Sequence, residues 1–404
     1  MSNTMTKTGT MIKFGDVVNE VSVHEHNPLE NGIERFVGID CIDSNCLQLK
    51  RWGMVADGTT FTKRFEPGQI LFSKRRVYLR KAALATFTGI CSGDIIVLEA
   101  KKDKLLPELL PFIVQSDAFA NWAESTSSGS LSPRTKFKSL AEFEFELPLM
   151  ERQKELVELF QSIEDSILST EAAIESAEQL KKSLMCELFT KGIGHTEFKE
   201  TKLGTIPKEW DIVKLDGLGF TYGGLNGKNK DDFGSGKPYI PYLNIFNNTV
   251  IDNQNFDYVK INKNDNQNTC KYGDIFFTTS SETPDEVGMA SVLLDNIDEL
   301  YLNSFCFGFR LNDFEKLNPH FAAYLFRGEF FRKILNRLAQ GSTRFNLSKT
   351  NLLKSEIFIP KIDEQKKITE ILYNCDNEIN LLKKQLLNAK TTKKELLNSL
   401  LSNK

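Results

Sequence analysis

The longest regular pattern in the chain is an apolar period of 3.5 residues, and it occurs twice. Stepping alternately four and three residues from Leu156 gives Phe160, Ile163, Ile167, Thr170, Ile174, Ala177, Lys181, Leu184 and Leu188. Moving 212 positions along gives Ile368, Leu372, Cys375, Ile379, Leu382, Leu386, Ala389, Lys393, Leu396 and Leu400. An apolar stripe held this long at that period is the pattern of a coiled-coil seam. Neither run contains an internal glycine or proline. Pro148 and Pro360 stand just before the runs, where proline is tolerated, and Gly192 and Gly194 follow the first, as a helix stop requires. The pattern predicts two long helices packed antiparallel on each other. The competing arrangement packs each helix only on its own domain. At ~1.5 Å per residue, about 40 residues would make a rod of ~60 Å, long enough to hold two domains at a fixed distance.

The repeat reaches beyond the helices. LPLMERQKELVELFQSIEDSI from Leu147 aligns without a gap on IPKIDEQKKITEILYNCDNEI from Ile359, with Gln153/Gln365, Glu158/Glu370, Ala177/Ala389 and Lys181/Lys393 identical. Gly129-Ser130 and Gly341-Ser342 keep the same offset of 212. Weaker echoes lie upstream: Lys13–Asp16 with Lys214–Gly217 at 201, and Gly68-x-Ile70-x-Phe72 with Gly273-x-Ile275-x-Phe277 at 205. A growing offset describes two halves on one plan, separated by insertions. Within the halves, 35–40, 69–72, 94–98, 239–244, 274–278 and 304–310 read as strands, and 107–116 and 319–340 as helices. The fold expected is α+β: two mixed α/β domains in pseudo-repeat, with two long antiparallel coiled-coil helices. The domains are placed at 1–146 and 206–357, the helices at 147–190 and 358–404, and a polar linker at 191–205.

Composition narrows the chemistry. The chain has 404 residues, 40% hydrophobic and 26% charged, which suits a folded protein of two or three domains. No apolar stretch approaches the length of a membrane span, and no secretory leader pattern opens the chain. Seven scattered cysteines without a CxxC argue against a disulfide framework or zinc ribbon and for a reduced, cytoplasmic protein. There is no phosphate-binding GxxxxGK[ST] loop, and no asparagine-proline-proline-aromatic motif of an amino-methyltransferase. The four histidines form no catalytic constellation, and no catalytic or metal-binding residue is assigned.

The net charge of −3 does not advertise a nucleic-acid binder, but binding follows local patches. Lys74, Arg75, Arg76, Arg80 and Lys81 surround Tyr78 in a run that suits phosphate and guanine contacts, or a solvated face beside a strand. Ser132, Arg134 and Lys136 in one half, and Ser342, Thr343, Arg344 and Lys349 in the other, sit in glycine- and hydroxyl-rich loops at equivalent places. Such loops suit close approach to phosphate, or simply cap a helix. Lys228 and Lys230 lie in a glycine-rich loop whose aspartates offset them, and Thr279 and Ser280 supply hydroxyls to DNA or close a turn.

These features together resemble the specificity subunit of a type I restriction–modification system. The resemblance covers nearly the whole chain. It is carried by FEPGQILFSKRRVYLRKAALATFTGICSGDIIVL from Phe65, SSGSLSPRTKFKSLAEFEFELPLMERQ, LGTIPKEWDIVKL, YGDIFFTTSSETPDEVGMASV, YLNSFCFGFR and QGSTRFNLSKTNLLKSEIFIPKIDEQKKI. It implies two target-recognition domains, each reading half of a bipartite, asymmetric DNA site. It implies spacer helices that dock two methyltransferase subunits, and motor–nuclease subunits that join them. S-adenosylmethionine, ATP and magnesium would belong to those partners, and this chain would supply the address for adenine-N6 methylation without catalysis. A self-contained enzyme, a protein-binding coiled-coil scaffold and an orphan or decoy subunit are the competing readings.

Overall fold

In a computed structural model both periodic runs are unbroken helices, Met150–Lys191 and Ile362–Leu401. The structure describes residues 9–341 and 343–401, without the side chains of Leu400 and Leu401. Ser342 and the Leu400 side chain, both singled out above, therefore lie outside the described residues. The chain divides into two units, one running to Ala172 and resuming at Lys383, the other spanning Ala173–Leu382. Each unit thus contains a stretch of both long helices.

In the first unit, a four-stranded antiparallel sheet runs Val18–Val21, Ile95–Ala100, Ile70–Ser73, Ala82–Leu84. Ile70–Ser73 is buried at every position, so it reads as a continuous apolar run rather than an alternating one. A second sheet runs Gly53–Met54, Arg35–Val37, Gly89–Cys91, Lys63–Phe65, with Arg35–Val37 and Gly89–Cys91 parallel. Gly9–Lys13 pairs with Glu144–Pro148, the strand that feeds the first long helix. Phe72, Phe112, Phe119, Phe143 and Phe145 fill the core, joined by Leu156, Val157 and Phe160 from the first turns of that helix.

The second unit repeats this plan. Its antiparallel sheet runs Gly219–Gly223, Cys306–Leu311, Ile275–Thr278, Ala290–Val292. Asp257–Val259, Phe233–Ile240 and Tyr301–Leu302 form the companion sheet, again with one parallel pair. Asp211–Lys214 pairs with Glu356–Ile359, which feeds the second long helix. Ile368 and Leu372 from that helix enter a core of Phe277, Phe307, Phe309, Phe321, Phe326 and Phe331.

Four details differ from the sequence expectation. The strand expected at 239–244 ends at Ile240; after Pro241 the chain turns into the helix Tyr242–Asn247. The buried Asn244 amide holds it there, donating to the carbonyls of Asp252 and Asn255. The long helix expected at 319–340 is two, Pro319–Leu325 and Glu329–Leu338, broken at an extended Gly328. The break lets the Arg327 guanidinium bond the carbonyls of Ala290, Ile245, Phe246 and Asn248. The strand expected at 35–40 stops at Val37 and becomes a 3-10 turn, Ile39–Cys41. The polar linker carries a hairpin of Phe198–Thr201 and Gly204–Pro207, and Ile206 beyond its turn is buried.

The helix attachments are duplicated in detail. Buried Gln153 accepts from the Leu106 amide at 3.0 Å and donates to the carbonyls of Lys104 and Pro148 at 3.1 and 2.9 Å. Buried Gln365 accepts from the Asn318 amide at 2.9 Å and donates to the carbonyls of Lys316 and Pro360, both at 2.9 Å. Each partner in the second set lies 212 positions after its counterpart in the first. At the far end of the first long helix, Gly192 adopts φ +65°, where a Cβ would collide with Glu364. The Glu364 carboxylate there accepts from the Ile193 amide at 2.9 Å and from Trp210 Nε1 at 3.0 Å.

Candidate functional site

The seam positions form the inner faces of the long helices. Leu156, Phe160, Ile167, Ile174, Leu188, Ile368, Leu372 and Ile379 are buried; Ile163, Leu184, Leu386 and Leu396 are half-buried. Two lysines sit in this stripe among the apolar residues. In the first unit Lys393 bonds Glu164 and the Gln115 side-chain oxygen, with its ammonium 5.7 Å from the Phe112 ring centre. In the second, Lys181 bonds Asp376 at 2.5 Å, and its ammonium lies 5.4 Å from the Tyr324 ring centre. Asp376 and Tyr324 stand 212 positions after Glu164 and Phe112. The pairs 164/393 and 171/390 in the first unit run in opposite senses, so the two helices are antiparallel there. In the second unit 181 pairs with 376 and 193 with 364, again in opposite senses.

Several of the candidate DNA contacts of the first unit gather on one surface. After strand Ile70–Ser73 the chain makes a turn around Val77–Leu79, with Arg76 and Arg80 both in the left-handed region. A second loop closes on itself where Ser128 and Arg134 exchange backbone bonds of 3.0 and 2.9 Å across Gly129 at φ +113°. The two loops dock through Arg76 N–H to the Pro133 carbonyl and Thr135 N–H to the Lys74 carbonyl. Arg75 Nε donates to Ser132 Oγ at 2.5 Å. The Asp94 carboxylate lies 3.2 Å from Arg134 Nε and 3.8 Å from Arg75 Nη1, and the Asp94 carbonyl accepts from Lys74 N–H. Arg76 and Arg134 are exposed there, with Lys74 and Arg75 half-buried; Lys136 is exposed next to Thr135, and Tyr78, also exposed, lines the hollow shared by Arg80 and Asp117.

Two members of the basic run point elsewhere. Arg80 bonds Asp117, which also receives the Asn398 amide. Burial would raise the Asp117 carboxyl, but the Arg80 guanidinium, the Asn398 amide and Lys394 outweigh it and hold it below the usual carboxylate range. Lys81 reaches inward to the Ile39 carbonyl at 2.9 Å.

The second unit builds the same surface from different side chains. Gln340 and Asn346 exchange backbone bonds across Gly341 at φ +132°, closing the loop that carries Thr343 and Arg344. Ser280–Ser281 pairs with Phe345–Asn346, and Arg344 Nε donates to Ser280 Oγ at 3.2 Å. Thr279 N–H donates to the Phe305 carbonyl, as Lys74 N–H does to Asp94. Phe305 is 62% exposed. Lys349 is exposed at the start of a short helix, its ammonium 5.6 Å from the Phe307 ring centre. Lys228 is withdrawn, its side chain only 5% exposed and bonded to Asp265, whereas Lys230 is exposed.

Sequence reasoning missed Asp94 and Phe305 as members of these surfaces. The repeat carried the information: residue 305 follows residue 94 by 211, between the two main offsets of 205 and 212.

Residues 18–179 and 207–390 each match the type I restriction modification DNA specificity domain family. The chain is 30% identical over 338 residues to the type I restriction enzyme MjaVIII specificity subunit of Methanocaldococcus jannaschii, across 78% of this chain and 74% of that one. It is 30% identical over 141 residues to the EcoDI specificity subunit of Escherichia coli, across 34% and 31% of the two chains. In fold it matches a chain from a structure on complex assembly and conformational transition of the type I restriction–modification system, with a TM-score of 0.61 at 17% identity over 99% and 98% of the chains. It also matches the type I restriction–modification S subunit from M. genitalium, with a TM-score of 0.57 at 13% identity over 100% and 99%. With the family matched over most of both halves, and with both halves on one plan, the chain belongs to the type I restriction–modification DNA specificity family.

Proposed function

We propose that this chain is the DNA-reading subunit of a type I restriction–modification complex, recognising a split, asymmetric site and directing partner subunits to it. One observation carries the reading beyond family membership: both units present a loop pair at the same place, built on the same backbone bonds, yet with different side chains. A duplicated frame with divergent tips is what reading two unlike half-sites requires.

Residues 1–146 and 206–357 are assigned as the two target-recognition domains. Lys74, Arg75, Arg76, Tyr78, Ser132, Arg134 and Lys136 are assigned to DNA on the first, and Lys230, Thr279, Ser280, Thr343, Arg344 and Lys349 on the second. Ser342 falls in the same loop by sequence. The inward bond of Lys81 to the Ile39 carbonyl, the burial of the Lys228 side chain against Asp265 and the engagement of Arg80 with Asp117 assign those three to holding loops in place. Lysine and arginine contacts to phosphate give affinity that falls with salt; contacts to base edges give sequence.

Adenine N6 is reached only when the base leaves the stack, a task for the methyltransferase partners. S-adenosylmethionine, ATP and magnesium are assigned to partner subunits, and this chain to no catalytic step. Co-expression with the methyltransferase subunit, followed by genome-wide mapping of N6-methyladenine, tests the reading. A split motif with a fixed gap supports it; a stable complex that adds no methylation overturns it in favour of a scaffold or decoy.

A further inference from the structure

The two loop surfaces share one backbone frame, so they can be compared position by position. Antiparallel bridges set Arg75 opposite Arg134 in the first unit and Ser280 opposite Asn346 in the second. The carbonyl that accepts the first N–H beyond the central strand belongs to Asp94 in one and to Phe305 in the other. Three equivalent places therefore carry arginine, arginine and aspartate on one surface, and serine, asparagine and phenylalanine on the other.

Chemistry follows from that exchange. Asp94, with a side chain 24% exposed, faces both guanidiniums; Arg75 and Arg134 keep 41% and 53% of their side chains exposed. Ser132 adds a bond to Arg75 Nε. Two arginine forks are thus fixed at one end before any ligand arrives, which lowers the entropy lost on binding. A fixed fork in a major groove matches O6 and N7 of guanine. At the matched places of the second unit serine and asparagine stand for the two arginines, and an exposed phenylalanine stands for the aspartate, its carbonyl bonded to the Thr279 amide. An apolar side chain at a base edge matches the thymine methyl group.

Resting on the proposed function, we infer that the two half-sites differ in kind. The first unit reads a half-site containing guanine through Arg75 and Arg134, positioned by Asp94. The second reads a half-site whose matching contact is a thymine methyl, through Phe305.

The test uses the complex of the full chain with its methyltransferase subunit and a plasmid library carrying randomised sites, read by N6-methyladenine mapping. Absence of any split motif in the wild type overturns the functional reading itself, and this inference with it. Given a split motif, Arg75→Ala and Arg134→Ala are each expected to relax a guanine in one half about ten-fold or more. Asp94→Asn, a positioning change, is expected to relax the same guanines. Phe305→Ala is expected to relax a thymine in the other half. Thermal unfolding of each variant complex confirms that it is folded; Asp94→Asn and Phe305→Ala keep the backbone bonds and serve if an arginine variant fails to fold. The inference is overturned if the arginine variants lower methylation evenly across sequences, which marks phosphate contacts. It is equally overturned if they relax a position other than guanine, or if Phe305→Ala acts on the same half or on no base.

Discussion

Gln153 and Gln365 bind the same three backbone groups in their respective units, with distances that differ by no more than 0.2 Å from one copy to the other. The loop tips of the same two units share no side chain at their three matched places. The contrast locates what duplication had to preserve. A buried amide that satisfies three backbone groups has no substitute of equal geometry, and losing it strands polar atoms away from water. A side chain projecting from a loop whose shape is set by backbone bonds carries no such burden, and it can change with the ligand. The seam lysines fall between these extremes: their positions are kept, but their surroundings have drifted.

The largest expected effect breaks the conserved side of this comparison. Gln153→Leu and Gln365→Leu should each destabilise the protein by about 3 kcal/mol, because one amide and two carbonyls lose their partner. Urea unfolding followed by tryptophan fluorescence checks this. Losses under about 1 kcal/mol, or a wide gap between the two variants, would show that the matching geometry does not carry matching energy.

The lysines sharpen the comparison at a smaller scale. In Lys181→Met, Asp376 keeps the Tyr324 hydroxyl as a donor at 2.8 Å. In Lys393→Met, both Glu164 and the Gln115 oxygen lose the ammonium. The expected costs are about 1 kcal/mol for Lys181 and about 2 kcal/mol for Lys393, below the figure for fully buried pairs because water still reaches these side chains. Equal melting temperatures for the two variants would contradict the asymmetry.

The smallest effect is a pH dependence. Asp117 is held below the usual carboxylate range when folded, so its contribution is present at neutral pH. It is lost as pH falls from the unfolded value of about 4 through the folded one. Acid titration of stability should therefore be shallower below about pH 4 in Asp117→Asn than in the wild type. Glu329, 212 positions later, is an exposed partner of Lys333, and Glu329→Gln should change that slope less. The reverse ranking would remove Asp117 from the acid response.

The sequence made the long helices legible because a 3.5-residue period needs no knowledge of the partner surface. Buried central strands were legible for the same reason, since their apolar runs are local. The function of Gln153 and Gln365 was not: the identity was visible, but the three backbone groups they hold come from a loop some 50 residues earlier and from the preceding turn. The direction of Arg80 and Lys81 was equally hidden. Both belong to a run that reads as one basic patch, and only the tertiary positions of Asp117 and the Ile39 carbonyl divide it. The helix break at Gly328 depends on carbonyls brought to Arg327 from residues 245–248 and 290, which no local pattern announces.

The glutamine attachment also has a mechanical meaning. Each residue added to a helix turns everything beyond it by about 100°. A glutamine tied to carbonyls on two sides, and to an amide on a third, fixes the rotational phase of the helix against the domain it leaves. Like a key seated in a shaft, it lets torque pass between helix and domain without slack. A single residue inserted between Pro148 and Gln153 would swing the key out of its slot, and Leu156, Val157 and Phe160 would turn with it, away from the core they fill.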